Sequence, residues 1–156
     1  MKKQNLSAYD PADIPVLHNK KVAVITAQWN VEVTQSMETA CVETLLKHGL
    51  TVDDIMQIPV AGSFELPYSA KHIAKNRKVD AVICIGCIIQ GETRHFEFIA
   101  QATANGIMQV GLSCEIPVVF GVLTTNNMQQ AMDRAGGKHG NKGTEAAVAC
   151  LKLLAM

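Results

Sequence analysis

The residues best equipped for chemistry stand in one stretch, 84–96, reading Cys-Ile-Gly-Cys-Ile-Ile-Gln-Gly-Glu-Thr-Arg-His-Phe. His95 is the candidate proton-transfer group. An imidazole of ordinary pKa, about 6.5, both donates and accepts near neutrality, which is typically worth ~10²–10⁴-fold in rate. Gly91-Glu92-Thr93 stand just before it. If a helix starts here, its free N–H groups and dipole suit an anion. The competing role for His95 is a solvated residue at a helix entrance. Cys84 and Cys87 form a C-x-x-C, but strand residues three apart point to opposite faces. No second Cys/His pair completes a zinc set. Both thiols read as packing residues.

Other candidates lie in separate turns. Trp29, the only tryptophan, follows an apolar run and is suited to stacking on a flat heterocycle or to packing under a helix. In Gly62-Ser63-Phe64-Glu65, glycine lets backbone approach a ligand and Glu65 accepts from hydroxyls; a plain tight turn is the alternative. Arg134 and Lys142 flank a glycine-rich loop and, with Glu92-Thr93, suit a phosphate without metal. Neither G-x-x-x-x-G-K-[ST] nor a G-x-G-x-x-G after the first strand occurs, which sets aside nucleoside-triphosphate and dinucleotide sites. His18, His48, His72 and His139 read as surface residues.

These groups need elements to place them. Apolar runs at 21–27, 55–60, 81–89 and 117–123 predict four strands, the third central. Helical periodicity predicts a helix after Gln28-Trp29-Asn30, with Asn30 as its N-cap and Lys47-His48-Gly49 as its stop. Further helices are expected at 67–76, from the His95 turn to about 114 (loosened near Gly106 and Gly111), from a Thr124-Thr125-Asn126-Asn127 cap through Arg134, and after Thr144 as cap. Residues 135–143 read as a loop. Four strand–helix alternations with right-handed crossovers make a three-layer αβα sandwich, a parallel sheet covered on both faces. Every candidate turn then falls on one edge of the sheet, where such folds bind ligands.

Composition bounds the rest. The 156 residues suit one domain, 21–156, behind an extended polar arm, 1–20, broken by Pro11 and Pro15. The arm cannot form its own core and is expected to be mobile or to lie on a neighbour. Apolar residues make up 48% and aromatics 4%, so the core is aliphatic. Basic and acidic residues balance at 14 each, without the basic stripe of a nucleic-acid surface. No run approaches a membrane span, and five cysteines without framework spacing indicate reduced thiols, so a soluble cytoplasmic protein is expected.

Four segments together carry a resemblance: Val60-Ala-Gly-Ser-Phe-Glu-Leu-Pro67, Gly86-Cys-Ile-Ile-Gln-Gly-Glu-Thr-Arg-His95, Ile116-Pro-Val-Val-Phe-Gly-Val-Leu-Thr-Thr125, and Gln130-Ala-Met-Asp-Arg-Ala-Gly136 with Gly140-Asn-Lys-Gly143. Residues 21–156 resemble the lumazine synthases, enzymes of the penultimate step of riboflavin synthesis. The resemblance implies a flavodoxin-like sheet of order 2-1-3-4. It also implies condensation of 5-amino-6-(D-ribitylamino)uracil with 3,4-dihydroxy-2-butanone 4-phosphate, without metal or redox cofactor. Trp29 would stack on the pyrimidine. Ser63, Phe64 and Glu65 would hold the ribityl-bearing substrate, and main-chain groups of Cys87, Ile88 and Ile89 its ring edge. Glu92, Thr93 and Arg134, with Lys142 nearby, would hold phosphate, and His95 would move protons. Phe120 would reach the site of an adjacent subunit. That implies at least a homopentamer; the short 136–143 loop favours a sixty-subunit icosahedral capsid, with riboflavin synthase a candidate partner.

Ala61, Gln90 and Asp133 depart from residues common in that family (Pro, Arg and Glu). Two rival readings remain. A non-catalytic lumazine- or flavin-binding shell protein would not need His95, Arg134 and Lys142. A flavodoxin-like FMN carrier would want a hydroxyl-rich loop where Gln28-Trp29-Asn30 stands.

Overall fold

Four aliphatic, β-branched runs form the sheet: β1 (Val22–Ala27), β2 (Ile55–Val60), β3 (Ala81–Ile89) and β4 (Val118–Thr125). The computed structural model describes residues 5–156. All four strands pair in parallel, in the order β2-β1-β3-β4. The inner strands show why their sequences are so apolar. Every residue of β1, and all but the last of β3, is buried, because helices cover both faces. Edge strand β2 is half exposed and correspondingly more mixed.

The helices are α1 (Val31–Lys47), α2 (Leu66–Asn76), α3 (His95–Ser113), α4 (Met128–Arg134) and α5 (Lys142–Leu154). One core joins Met37, Cys41 and Leu45 of α1 and Ala147, Cys150 and Leu151 of α5 to Val24, Ile83, Ile85 and Cys87 of the sheet. The opposite core joins Leu66, Ala70 and Ile73 of α2 and Ile107 and Val110 of α3 to Ala23, Ile25, Cys84 and Ile88. Cys84 and Cys87 thus serve opposite faces, as strand alternation requires. No helix among the described residues is long and apolar enough to cross a membrane.

Several local expectations are corrected. Asn30 precedes α1 in a left-handed conformation (φ 58°), but its side chain does not cap the helix. The cap of α5 is Asn141, whose Oδ1 accepts from Gly143 N at 2.8 Å, so Thr144 lies inside the helix. The predicted 135–143 loop contains a small antiparallel hairpin, β5 (Ala135–Gly137) and β6 (Gly140–Asn141). Helix α3 runs unbroken through Gly106, where a Cβ would stand 2.7 Å from Pro67 Cγ. The glycine serves close approach of α2, not helix loosening. His48 is buried, 2% exposed, and not on the surface: its Nε2 meets the Tyr9 hydroxyl at 3.2 Å.

The arm, from residue 5 onward, runs against its own chain. Ile14 enters the α1–α5 core, Tyr9 and Leu17 pack on it, and Leu17 N donates to His48 O at 2.8 Å.

Candidate active site

Because the strands run parallel, each strand's outgoing turn reaches the same edge of the sheet, and there a cavity of about 580 Å³ opens. Its walls are Trp29 and Asn30 after β1, Gly62 to Glu65 after β2, Cys87, Ile88 and Ile89 ending β3, and Gly91, Thr93 and His95 leading into α3. Strand order reverses between β1 and β3, so the cavity straddles the switch point. Asn30 spans it: the Nδ2 donates to Cys87 O at 2.9 Å, joining the turn after β1 to the end of β3.

Trp29 stands with 72% of its surface exposed, so it is a wall of the cavity and not a core residue under a helix. Gly62 makes this possible. A Cβ there would lie 3.1 Å from Trp29 Cδ1 and 3.2 Å from Glu65 Oε2, so glycine lets the indole and the carboxylate close on the same turn. Ser63 is buried, and its hydroxyl has no hydrogen-bond partner among the described residues. The oxygen lies against Gly86, where a Cβ would stand 2.6 Å from it, so glycine on β3 makes room for this turn.

His95 is exposed at the first position of α3, its main-chain N donating to Thr93 Oγ1 at 3.4 Å. The thiols beside the site are inert. Burial pushes Cys84 up to about 12 and Cys87 up to about 11, so neither is a thiolate near neutrality. Cys87 contributes backbone, and its carbonyl is already engaged by Asn30.

Trp29, Ser63, Phe64, Glu65, Cys87, Ile88, Ile89, Thr93 and His95 therefore meet around one cavity. Glu92 is exposed next to it but is not part of its lining. Phe120, Arg134 and Lys142 also stand outside the lining of their own chain's cavity. Phe120 is 38% exposed on β4. Arg134 donates through Nη1 to His139 O at 2.8 Å and through Nη2 to Glu145 Oε1 at 2.7 Å. Lys142 Nζ donates to Glu145 Oε2 at 3.1 Å. Burial tends to raise the Glu145 carboxyl, but hydrogen bonds from Arg134, Ser7 and Lys142 hold it below the usual range. Asp133, next to Arg134 in the chain, turns instead to Lys138 at 2.9 Å and Gln129 at 3.0 Å. Hydrogen bonds from Lys138 and then Gln129 keep its carboxyl low.

Sequence reasoning missed Asn30 as a strap and Phe96 and Ile99 as walls. The i, i+3 spacing of the last two at the head of an amphipathic helix was their only signal. Asn30 left none, because its partner is 57 residues away.

A profile of the 6,7-dimethyl-8-ribityllumazine synthase family matches residues 19–156. Relatives bearing that name include one from Cytophaga hutchinsonii, 52% identical over 97% of this chain and 95% of the relative. Another, from Porphyromonas gingivalis, is 46% identical over 96% of this chain and 92% of its own length. A third, from Parabacteroides distasonis, is 42% identical over 97% and 94%. A chain matched along nearly its whole length by both the profile and these relatives belongs to the 6,7-dimethyl-8-ribityllumazine synthase family.

Proposed function

We propose that the protein condenses 5-amino-6-(D-ribitylamino)uracil with 3,4-dihydroxy-2-butanone 4-phosphate, releasing phosphate and water and forming 6,7-dimethyl-8-ribityllumazine. The observation that carries this reading is the cavity at the switch point. It brings an exposed indole, the Ser63-Phe64-Glu65 turn and an imidazole at a helix start around one space. Trp29 stacks on the pyrimidine. Ser63, Phe64 and Glu65 hold the ribityl-bearing substrate, and backbone groups of Ile88 and Ile89, with Cys87, border its ring. The amides of Glu92 and Thr93 face the phosphate, with Arg134 and Lys142 supplying positive charge.

The chemistry asks for proton transfers at separate atoms. The substrate amine loses a proton as its nitrogen attacks the ketone carbon, and the carbonyl oxygen gains protons before leaving as water. A proton is withdrawn from carbon as phosphate departs, and the ribitylamino nitrogen then attacks the remaining carbonyl carbon, closing the ring with loss of a second water. His95 handles these transfers, since a single imidazole can serve alternately as base and acid.

Phe120, Arg134 and Lys142 stand outside their own chain's cavity, as expected if adjacent subunits close each other's sites. Phe98 at 60% exposure and Leu112 at 83% on α3 are large apolar side chains that an assembly would cover. On this reading, residues 21–156 form the catalytic domain behind the arm. The protein works as a homopentamer or a shell of sixty subunits, in the cytoplasm, where its five thiols stay reduced.

The test is to mix both substrates with the enzyme and follow lumazine absorbance. Turnover by the wild type with kcat reduced ~10²–10⁴-fold in His95→Ala is expected. Substrate binding without turnover would favour the non-catalytic binder, and an unchanged kcat would remove His95 from the mechanism. Native mass spectrometry reads the assembly, and a monomer at micromolar concentration would contradict shared sites.

A further inference from the structure

Two acceptors hold the Arg134 guanidinium, and the N-terminal arm uses both of them. His139 O, which takes Arg134 Nη1 at 2.8 Å, also takes Leu6 N at 3.2 Å. Glu145 Oε1, which takes Arg134 Nη2 at 2.7 Å, also lies 2.8 Å from Ser7 Oγ. Ser7 Oγ in turn accepts from Asn141 N at 2.7 Å and stands 3.0 Å from Asn141 O. The arm thus lies directly on the 139–141 segment. Gly140 makes room for it: its φ of +90° suits glycine, and a Cβ there would collide with Asn5 and Ser7. Ser7 is half-buried in this contact although its neighbours Leu6 and Ala8 are exposed.

We propose that residues 5–7 of the arm are a positioning element for Arg134, fixing through His139 O and Glu145 the direction in which its guanidinium is offered to the phosphorylated substrate. The inference rests on the phosphate-binding reading of Arg134 and adds to it a residue distant in sequence that touches no substrate. Removing the Ser7 hydroxyl acts in one direction by two routes. It loosens the segment bearing His139 O, and it leaves Glu145 Oε1 to Arg134 alone. Either change makes the guanidinium less well presented to an anion.

Steady-state kinetics on the full-length assembled protein test this with Ser7→Ala, Ser7→Thr, Arg134→Ala and the Ser7→Ala/Arg134→Ala double variant. Ser7→Ala is expected to raise KM for the dihydroxybutanone phosphate roughly threefold to tenfold, with KM for the pyrimidine changed less than about twofold. Ser7→Thr, which keeps the hydroxyl, should restore most of the loss. In the Arg134→Ala background, Ser7→Ala should add nothing, because a positioning residue has no effect once its target is gone. An unaltered phosphate KM in Ser7→Ala, equal rises for both substrates, or the same penalty with and without Arg134 would overturn the inference. If Arg134→Ala itself leaves phosphate use intact, the phosphate reading falls and takes the inference with it. A loss in Arg134→Ala alongside a wild-type-like Ser7→Ala overturns the inference alone.

Discussion

Asn30 Nδ2 donates to the main-chain oxygen of Cys87 at 2.9 Å, spanning the two strands between which the sheet reverses its order. The contact does more than brace the sheet. It fixes the turn carrying Trp29 against the strand end that borders the same cavity. Asn30 holds a left-handed backbone (φ 58°), which asparagine tolerates better than most residues.

Two substitutions separate these roles. Asn30→Gly loses the hydrogen bond but suits the backbone, and should lower stability by about 1 kcal/mol. Asn30→Ala loses the bond and also forces alanine into the left-handed region, for a total of roughly 2–3 kcal/mol. Urea unfolding of both variants checks the order; equal losses would mean that the backbone conformation carries no cost.

Trp29 is the only tryptophan in the chain, so its fluorescence reports directly on the cavity. Binding of the pyrimidine substrate should quench it. Trp29→Ala should weaken that binding by at least roughly two- to twelvefold, the value of aromatic stacking alone, with the lost apolar burial adding to it. Because the indole is 72% exposed, thermal stability should barely move. Calorimetric titration of the variant and a melting curve measure the two effects separately.

At Gly106 two effects compete. Replacing a mid-helix glycine by alanine ordinarily gains about 1 kcal/mol in helix propensity. Here the new methyl would stand 2.7 Å from Pro67 Cγ, and pushing α2 away from α3 costs about 1–3 kcal/mol. Gly106→Ala should therefore destabilise on balance, whereas a gain in melting temperature would show that α2 yields freely.

His48 predicts how stability follows pH. Burial, aided by neighbouring Lys47, lowers its pKa below the ordinary 6.5, so folding favours the neutral ring. A proton then binds the unfolded chain at higher pH than the native one. This contribution is fully present above about pH 6.5 and is lost as pH falls through the lower folded value. Unfolding midpoints measured between about pH 7.5 and about pH 5 should decline in the wild type and decline less in His48→Gln. Parallel profiles would take His48 out of the account.

What the chain's sequence determined by itself was the succession of elements and the edge at which chemistry gathers. Buried strands of a covered parallel sheet must be apolar throughout, so β1 and β3 were legible as runs. Helices declared themselves by period and by glycine stops such as Gly49, which indeed takes a positive φ of 103°. Parallel strands then bring the turns after β1, β2 and β3 to one edge, which is why Trp29, Ser63, Glu65 and His95 could be named in advance.

Only the tertiary structure decided the partners. Nothing local marks His48 as buried under Tyr9, 39 residues away, or Gly106 as the seat of Pro67. Ser7 and Glu145 meet across 138 residues. Nor does local chemistry tell that Arg134 turns to Glu145 and His139 and stands outside its own chain's cavity. Periodicity records which face of an element is dry, because that depends on composition along a few turns. Which groups meet on that face depends on how whole elements pack, and pairwise hydrogen bonds across the fold leave no periodic trace.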